Sequence, residues 1–367
     1  MPASDAPLAS NGEWHIDEPA LEAISLGAAI LGTGGGGSPY IGWLRTRRQL
    51  RSGRGITVVR LEDLADDDLI IPTSSIGAPT VSNEKIERGD ECLSAVEVLE
   101  AYLGRRAVAV VTDEIGGSNA LEPMIVAALK GIPVLDADGM GRAFPEVQMT
   151  SFFIYGLDPY PTALADEKGN RVLFRDATSP VWLERAARAV TIQMGCSAGM
   201  AGPPMTVKQA KNVAIPGTVR QAWRLGQTVL EARATKRDPI SAVIESEGGR
   251  LLIRGKITDV DRRTTQGFAR GTLTLEGFDE FEGKPYVIEF QNENLICRTG
   301  EQVLATVPDL ICILDSESGT PVTTEELRYG FRVSVIGLPA PAQLTTPDAL
   351  DVVGPRAFGF DVDYRPL

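Results

Sequence analysis

A cysteine in a glycine-rich segment is the first candidate nucleophile of this chain. Cys196 lies in the stretch MGCSAGMAGPP (194–204), where small neighbours leave room for a substrate. A thiolate can add to an electrophilic carbon, and consecutive backbone amides beside it can stabilise the negative charge that develops. The same residues also fit a structural role, because free cysteines are among the most buried side chains. The sequence alone therefore allows Cys196 to be either a nucleophile or a structural residue.

Carboxylates near the ends of apolar runs are the second source of chemistry. Asp136 follows the run IPVL (132–135), and Glu146 ends the polar segment that comes next. The loop acids Asp113, Glu114, Asp136, Asp138 and Glu146 are the candidates for proton transfer during a hydrolysis. Asp136 and Asp138 are two residues apart at the end of a predicted strand, so we expect only one of them to face a ligand. The predicted catalytic residues are therefore Cys196, Asp136 and Glu146.

Four glycine-rich loops are predicted to bind the substrate. Glycine lets a backbone approach a ligand closely, and the hydroxyl, amide and carboxylate groups of these loops supply hydrogen bonds. The loops are LGTGGGGSPY (31–40), TSSIGAPTVSNEK (73–85), TDEIGGSNALEP (112–123) and ADGMGRAFPE (137–146). With the turn QNEN (291–294) added, the predicted substrate-binding residues are Thr33, Gly34, Gly35, Gly36, Asn83, Glu114, Asn119, Asp138 and Asn292.

The segment GTGGGG (32–37) matches the pattern G-x-G-x-x-G of dinucleotide-binding folds. That motif should follow a strand, whereas the preceding residues LEAISLGAAILG (21–32) have the periodicity of a helix. No G-K-[ST] follows, which excludes a P-loop. We favour a cradle of backbone N–H groups for a carbonyl or carboxylate group, and an NAD(P)-dependent oxidoreductase remains an alternative.

The scarcity of histidine excludes several classes of enzyme. His15 is the single histidine, and the four cysteines form no C-x-x-C pair. Zinc hydrolases built on histidine clusters need at least two imidazoles. A Ser-His-Asp triad would have to use His15, which lies in a polar terminal stretch. The loop carboxylates could hold Mg²⁺ or Mn²⁺, but no spacing demands it, so we predict neither a metal nor a cofactor.

Charge and length limit the partners and the number of domains. The chain has 367 residues with 36 basic and 49 acidic side chains, a net charge of −13. This charge argues against nucleic acid and anionic membranes and favours a small-molecule substrate. No apolar run of about 18 residues and no signal-peptide pattern is present, so we expect a cytoplasmic protein. The length predicts two to three domains, and self-association into a homo-oligomer is expected.

Residues 16–168 are predicted to form an α/β domain with a mainly parallel sheet. Its strands are apolar throughout and alternate with helices, which is typical of a sheet covered on both faces. Ligands of such sheets bind beyond the carboxyl ends of the strands, where three of the glycine-rich loops begin. The predicted helices are 19–31, 40–51, 90–103 and 120–130, and the predicted strands are 56–61, 68–74, 107–113 and 132–138.

Residues 169–367 are predicted to form a β-rich domain with a few helices. Helices are expected at 180–188, 206–213 and 218–233, and AVTIQMG (189–195) alternates like a strand. From residue 240 onward the chain reads as short strands with turn residues about every ten positions, beginning with SAVIE (241–245). This spacing favours a sandwich or a distorted barrel.

Six segments, in order along the chain, resemble the S-methyl thiohydantoin desulfurase family. The resemblance covers about residues 18–365, and the combination of motifs is specific although each motif alone is weak. Genes of this family often lie beside, or are fused to, those of hydantoinase and oxoprolinase subunits. The segments are GTGGGGSPY (32–40), IGAPTVSNEK (76–85), EIGGSNALEPM (114–124), DADGMGRAFPE (136–146), KNVAIPGT (211–218) and QNENL (291–295).

The resemblance implies a two-domain protein and a reaction. The reaction would remove methanethiol hydrolytically from an S-methylated thiohydantoin and leave a hydantoin, as in the breakdown of ergothioneine-type thiolated histidines. Either a thiol forms a covalent thioimidate that water resolves, or a carboxylate activates water directly. A non-catalytic or accessory subunit of a hydantoinase- or oxoprolinase-type system, with such a protein as partner, is the main alternative function.

Overall fold

The first sheet supplies the edge at which the candidate site is built. The computed structural model describes residues 13–78, 81, 85–265 and 268–367. Strands β2, β5, β4 and β3 are parallel neighbours in the order β1-β2-β5-β4-β3-β9-β7-β8, and β10 pairs with β3. The strands are β1 (Trp14–His15), β2 (Thr57–Val59), β3 (Leu69–Gly77), β4 (Ala109–Val111), β5 (Val134–Leu135), β6 (Ala137–Asp138), β7 (Thr162–Ala165), β8 (Arg171–Phe174), β9 (Ser197–Ala201), β10 (Met205–Thr206) and β11 (Ile215–Pro216).

Helices cover this sheet, as the sequence predicted. Asp17 caps the first helix by accepting a 2.8 Å hydrogen bond from the Ala20 amide, and Gly131 ends the fourth with φ 69°. No helix in the described ranges is both long and apolar enough to cross a bilayer. The helices are α1 (Glu18–Leu31), α2 (Tyr40–Arg51), α3 (Glu91–Leu103), α4 (Glu122–Lys130), α5 (Ser151–Ile154), α6 (Pro180–Gln193), α7 (Val207–Val213), α8 (Thr218–Ala234), α9 (Pro239–Glu247) and α10 (Pro347–Val353).

The second sheet is antiparallel and curled into a half-barrel, which confirms the predicted β-rich second domain. Its order is β16-β15-β14-β13-β12-β18-β17. Ile253, Leu273, Ile288 and Val335 lie in its separate hydrophobic core. The strands are β12 (Arg250–Thr265), β13 (Phe268–Gly277), β14 (Pro285–Gln291), β15 (Glu293–Thr299), β16 (Gln302–Thr306), β17 (Leu310–Asp315) and β18 (Arg332–Leu338).

The two architectures interleave along the sequence. Residues 168 and 169 lie between β7 and β8, which pair with each other in the first sheet. Strand β9 also joins that sheet, between β3 and β7. Helix α8 packs across α1, so elements from the second half of the chain complete the first core.

Two segments differ from the sequence expectation. The predicted strand 189–195 is wrong, because α6 continues to Gln193 with Leu183, Ala187 and Thr191 buried at helical spacing. The predicted strand 241–245 is also wrong. There Asp238 caps helix α9, accepting a 3.0 Å hydrogen bond from the Ile240 amide. In both places β-branched residues resemble a strand locally, but the buried face repeats every three to four residues.

Small residues let α1 and α8 cross at close range. A Cβ atom added to Gly27 would lie 1.7 Å from the Ala222 carbonyl oxygen, and one added to Gly226 would lie 1.9 Å from the Ala23 carbonyl oxygen. Both obstacles are backbone atoms, so a larger residue must push the helices apart. Glycine at these positions therefore sets the distance between α1 and α8.

We predict that Gly226→Ala destabilises the protein by about 1–3 kcal/mol, because the added methyl group overpacks the helix crossing. Urea unfolding followed by circular dichroism measures this change. The matched control is Gly55→Ala, since Gly55 is exposed and an added Cβ meets no atom within 4 Å. An unfolding midpoint for Gly226→Ala equal to that of the control would contradict this account of the crossing.

Candidate functional site

A cleft opens where β3 and β4 end, at the edge expected for ligands of an α/β sheet. The space between its walls, with the solvent at its open mouth included, is about 990 Å³. Polar and apolar residues both line it, the latter including Met140 and Phe144 from the segment after β6 and Met200 of β9. The residues that line it are 36–38, Ile41, Arg45, 74–77, Glu87, Asp113, Glu114, Ser118, Asn119, Glu122, Met140, 144–147, Arg188, Ser197, Met200, Asn292 and Glu293.

Asp113 is a buried carboxyl group in the wall of this cleft. It comes two residues after β4 and accepts a 2.6 Å hydrogen bond from the Ser74 hydroxyl on the neighbouring strand β3. Burial raises the pKa of Asp113 to about 7, although the Ser74 hydroxyl opposes the shift. A carboxyl group with a pKa near neutrality can both take up and release a proton at physiological pH.

Glu114, the next residue, is held in a defined network. One of its carboxyl oxygens accepts a 2.6 Å hydrogen bond from the Asn119 amide, and the other accepts a 3.2 Å bond from the Phe144 backbone N–H. Asn119 is itself fixed, because its oxygen accepts from the Ser75 backbone N–H at 2.8 Å and from the Ser75 hydroxyl at 2.7 Å. Burial raises the pKa of Glu114 to about 8, against the effect of these hydrogen bonds.

The second sheet closes the cleft through the turn between β14 and β15. Asn292 has φ 55°, and its side-chain oxygen accepts a 2.8 Å hydrogen bond from the Ala269 amide. Glu293 accepts a 3.3 Å hydrogen bond from the Gly36 backbone N–H, while its second oxygen is buried without a partner. Burial and the nearby Glu114 carboxyl raise the pKa of Glu293 well above its usual value.

The glycine-rich segment 32–37 serves mainly as a packing surface for that turn. A Cβ atom on Gly35 would lie 1.9 Å from a Glu293 carboxyl oxygen, and one on Gly34 would lie 3.0 Å from the Asn294 amide nitrogen. Thr33 is fully buried. Because helix α1 precedes the segment where a dinucleotide-binding fold has a strand, its geometry does not fit that motif.

Cations stand at two sides of the cleft. Arg45 of α2 forms ion pairs with Glu122 at 2.9 Å and Glu87 at 2.6 Å. Burial and the Glu122 carboxylate raise the pKa of Glu87 to about 7, although Arg45 opposes the shift. Arg188 of α6 pairs with Glu184 at 2.6 Å on another side. Each guanidinium of these pairs is only partly exposed, so the surrounding helices hold it in position.

Five residues predicted from the sequence line the cleft: Gly36, Glu114, Asn119, Glu146 and Asn292. Asn83 lies outside the described residues. The other predicted residues do not line the cleft. They are Thr33, Gly34, Gly35, Asp136, Asp138 and Cys196.

Cys196 lies after a helix and before a strand, whereas the sequence placed it after a strand. Its backbone has φ 62°, its N–H donates to the Thr191 carbonyl at 2.9 Å, and its carbonyl accepts from the Ala78 amide at 3.0 Å. The residue therefore shapes the left-handed turn that ends α6. Its neighbours Ser197 and Met200, on β9, reach the cleft instead.

Asp136 and Asp138 bind backbone amides rather than facing the cleft. Asp136 accepts hydrogen bonds from the Val219 and Arg220 amides at 3.0 and 3.1 Å, at the first turn of α8. Asp138 is fully buried and accepts from three amides at 2.7–3.1 Å, those of Ile115, Met140 and Gly141. Both carboxyl groups therefore meet protein rather than the cleft.

Several residues of the site were not among those predicted. Ser74 and Ser75 lie on β3, which extends to Gly77 and so includes residues that the sequence assigned to a loop. Asp113 was one of the loop acids available for proton transfer but not one of the predicted catalytic residues, although its position just after β4 was an available signal. Arg188 lies at the end of the predicted helix 180–188 and lines the cleft from α6. In the described residues no group of three or more histidine, cysteine, aspartate or glutamate side chains is arranged to hold a metal ion.

Comparison with known proteins identifies the family. Models of the S-Me-THD-like N-terminal and C-terminal domains match residues 19–176 and 178–367. The crystal structure of a protein from Chromobacterium violaceum, from a structural genomics consortium, is similar with a TM-score of 0.79 and 24% identity, over 96% of this chain and 99% of that one. No curated protein matches the chain. Because the two models together span nearly all of its residues, the chain belongs to the S-Me-THD-like family.

Proposed function

We propose that the chain hydrolyses the C–S bond of an S-methyl thiohydantoin or a related S-alkyl ring, releasing a thiol and leaving a hydantoin. The resemblance to S-methyl thiohydantoin desulfurases supplies the substrate class. One observation about the cleft supports the chemistry. Asp113 and Glu114 are adjacent buried carboxyl groups with pKa values of about 7 and about 8. Two carboxyl groups that titrate apart can act as base and acid in one reaction.

The proposed mechanism assigns one proton transfer to each carboxyl group. The Asp113 carboxylate takes a proton from a water molecule whose oxygen attacks the ring carbon that carries the sulfur. Glu114, still protonated, gives its proton to the ring nitrogen of the C=N bond. The tetrahedral intermediate then breaks its C–S bond as its hydroxyl group becomes the new C=O bond. The hydroxyl proton returns to the Glu114 carboxylate, and the departing sulfur takes the proton that Asp113 received. One water is consumed, and both carboxyl groups end in their starting protonation states.

Direct attack by water is proposed in preference to a thiol nucleophile. Cys196 does not line the cleft, and its backbone is committed to the turn that ends α6. Cys92 is buried and donates from its sulfur to the Ser74 carbonyl oxygen at 3.3 Å. Burial and the neighbouring Glu122 carboxylate both raise the pKa of the Cys92 thiol well above its usual value, which disfavours the reactive thiolate.

We predict that the purified protein, incubated with an S-methyl thiohydantoin, releases a thiol that a colorimetric thiol reagent detects. Asp113→Asn should lower kcat/KM by about 10²–10⁴-fold, the usual contribution of one proton-transfer group. Cys196→Ala should keep activity within about threefold of the unmodified chain. Loss of turnover in Cys196→Ala, with Asp113→Asn still active, would replace the water mechanism by a covalent one. Absence of thiol release from a panel of such rings would reject the function.

The pH dependence of kcat/KM should be bell-shaped with its maximum between about pH 7 and 8. Asp113 must have lost its proton and Glu114 must have kept its proton, so activity falls on either side of the two values. Glu114→Gln should remove the descending limb and lower the maximum. A profile that stays flat from pH 6 to 9 would contradict the assignment of these two roles.

Ligand-free stability should fall as pH rises from about 4 to about 7. Asp113 has a higher pKa in the folded chain, about 7, than the value near 4 of an exposed carboxyl group. Between these values the unfolded state has released a proton that the folded state retains, so stability is lost as pH increases. We predict that Asp113→Asn is more stable than the unmodified chain at pH 8.5, by about 1 kcal/mol or more. Asp351→Asn, at an exposed position of α10, is the control and should change nothing.

A further inference from the structure

Arg142 is a fully buried cation that connects the loop after β6 with the glycine-rich segment and with the second sheet. Its guanidinium donates to the Thr33 hydroxyl at 2.7 Å and to the Asn294 carbonyl at 3.3 Å. It also donates to the carbonyls of Pro308 and Asp309 at 3.0 and 2.8 Å. Three of these oxygens belong to the second half of the chain and one to the glycine-rich segment. Because the guanidinium is planar with a fixed fork of donors, these bonds define its orientation.

The residues that follow Arg142 lead directly to the acid pair. The guanidinium lies 4.6 Å from the centre of the Phe144 ring. The Phe144 backbone N–H donates to Glu114 at 3.2 Å. The loop that carries Glu114 is packed against the same segment, since a Cβ atom on Gly116 would lie 2.5 Å from the Ala143 amide nitrogen. A shift of Arg142 is therefore transmitted through two peptide units to a hydrogen bond on the carboxyl group.

Arg142 also lies near Glu114 and Glu293, whose carboxyl groups interact with its charge. Asp113 and Asp138 are further carboxyl groups near Glu114, and the cations Arg45 and Arg188 line the same cleft. Burial lowers the pKa of Arg142 to about 10, while Glu293 opposes the shift, so the guanidinium remains charged at neutral pH. A positive charge close to a group of carboxyls favours their ionised forms.

We propose that Arg142 is a positioning residue for the acid pair. Anchored on the carbonyls of the second half of the chain, it holds the Phe144 amide against Glu114, and its charge favours the ionised form of the carboxyl groups around it. The inference rests on the proposed function in one respect, the role of Glu114 as the proton donor. It assigns the second half of the chain a part in tuning the chemistry as well as in closing the cleft.

The test compares Arg142→Met and Arg142→Lys with the control Arg233→Met. Arg233 of α8 also makes long-range hydrogen bonds, to the Ser318 carbonyl at 2.6 Å and the Thr320 hydroxyl at 2.7 Å, but it does not line the cleft. Thiol release is measured from pH 6 to 10. We expect Arg142→Met to move the descending limb of kcat/KM upward by about one pH unit and to lower its maximum about tenfold. Arg142→Lys, which retains the charge, should return the descending limb to its pH in the unmodified chain. Arg233→Met should change neither the pH of this limb nor the maximum of kcat/KM.

A folded Arg142→Met protein with the unmodified descending limb would overturn the proposal. If Arg142→Met does not fold, Arg142→Lys decides. The lysine ammonium group cannot bind all the oxygens that the Arg142 guanidinium binds. In Arg142→Lys, kcat should therefore fall at least about threefold while the descending limb keeps its pH. A lysine variant with unmodified kcat would overturn the positioning role.

The pH dependence of urea unfolding separates this inference from the proposed function. If the unmodified chain releases no thiol, the proposed function fails, and the unfolding data then decide the role of Arg142. Arg142→Met, or the milder Arg142→Gln if the methionine variant does not fold, should extend the loss of stability to a higher pH than in the unmodified chain. Arg233→Met should shift stability by the same amount at every pH. Parallel curves for the variants at Arg142 and Arg233 would overturn the role.

Discussion

The close approach of the glycine-rich segment 32–37 to its two neighbouring loops is the constraint on which the site depends. A side chain on Gly35 would occupy the space of the Glu293 carboxyl group, and one on Gly36 would come within 2.3 Å of the Gly116 carbonyl oxygen. The absence of side chains lets the Gly36 carbonyl accept from the Ser118 amide at 2.9 Å while its N–H donates to Glu293. The walls of the cleft are therefore close enough to leave the carboxyl groups of Asp113, Glu114 and Glu293 largely buried.

The burial of these carboxyl groups determines their pKa values. Asp113, Glu114 and Glu293 are each less than a tenth exposed, and burial is the largest cause of every upward pKa shift among them. The hydrogen bonds to Asp113 and Glu114 lower the pKa values that burial raises. Both values therefore stay close to neutral pH, and neither group is permanently protonated. A site of this kind is unfavourable for the stability of the empty protein at alkaline pH and favourable for proton transfer.

The sequence predicted the first sheet well because strands buried on both faces are apolar throughout, and the intervening helices carry recognisable caps such as Asp17 and Gly131. It failed where tertiary packing decides the outcome. Asp136 and Asp138 have the composition and position of site residues, yet both cap backbone amides, which no pattern of residue types reveals. Cys196 was placed by a predicted strand that is part of α6. Arg142 and Glu293 are important through contacts more than 100 residues apart in sequence, and such contacts leave no local signal.

The central claim is that the ring of the substrate lies against the adjacent carboxyl groups of Asp113 and Glu114. A crystal structure of the protein with hydantoin, the proposed product, tests this claim most directly. The account predicts the ring in the cleft at the ends of β3 and β4, with polar ring atoms about 3 Å from Asp113 and from Glu114 or Asn119. Hydantoin bound elsewhere on the molecule, with both carboxyl groups free of contact, would contradict it.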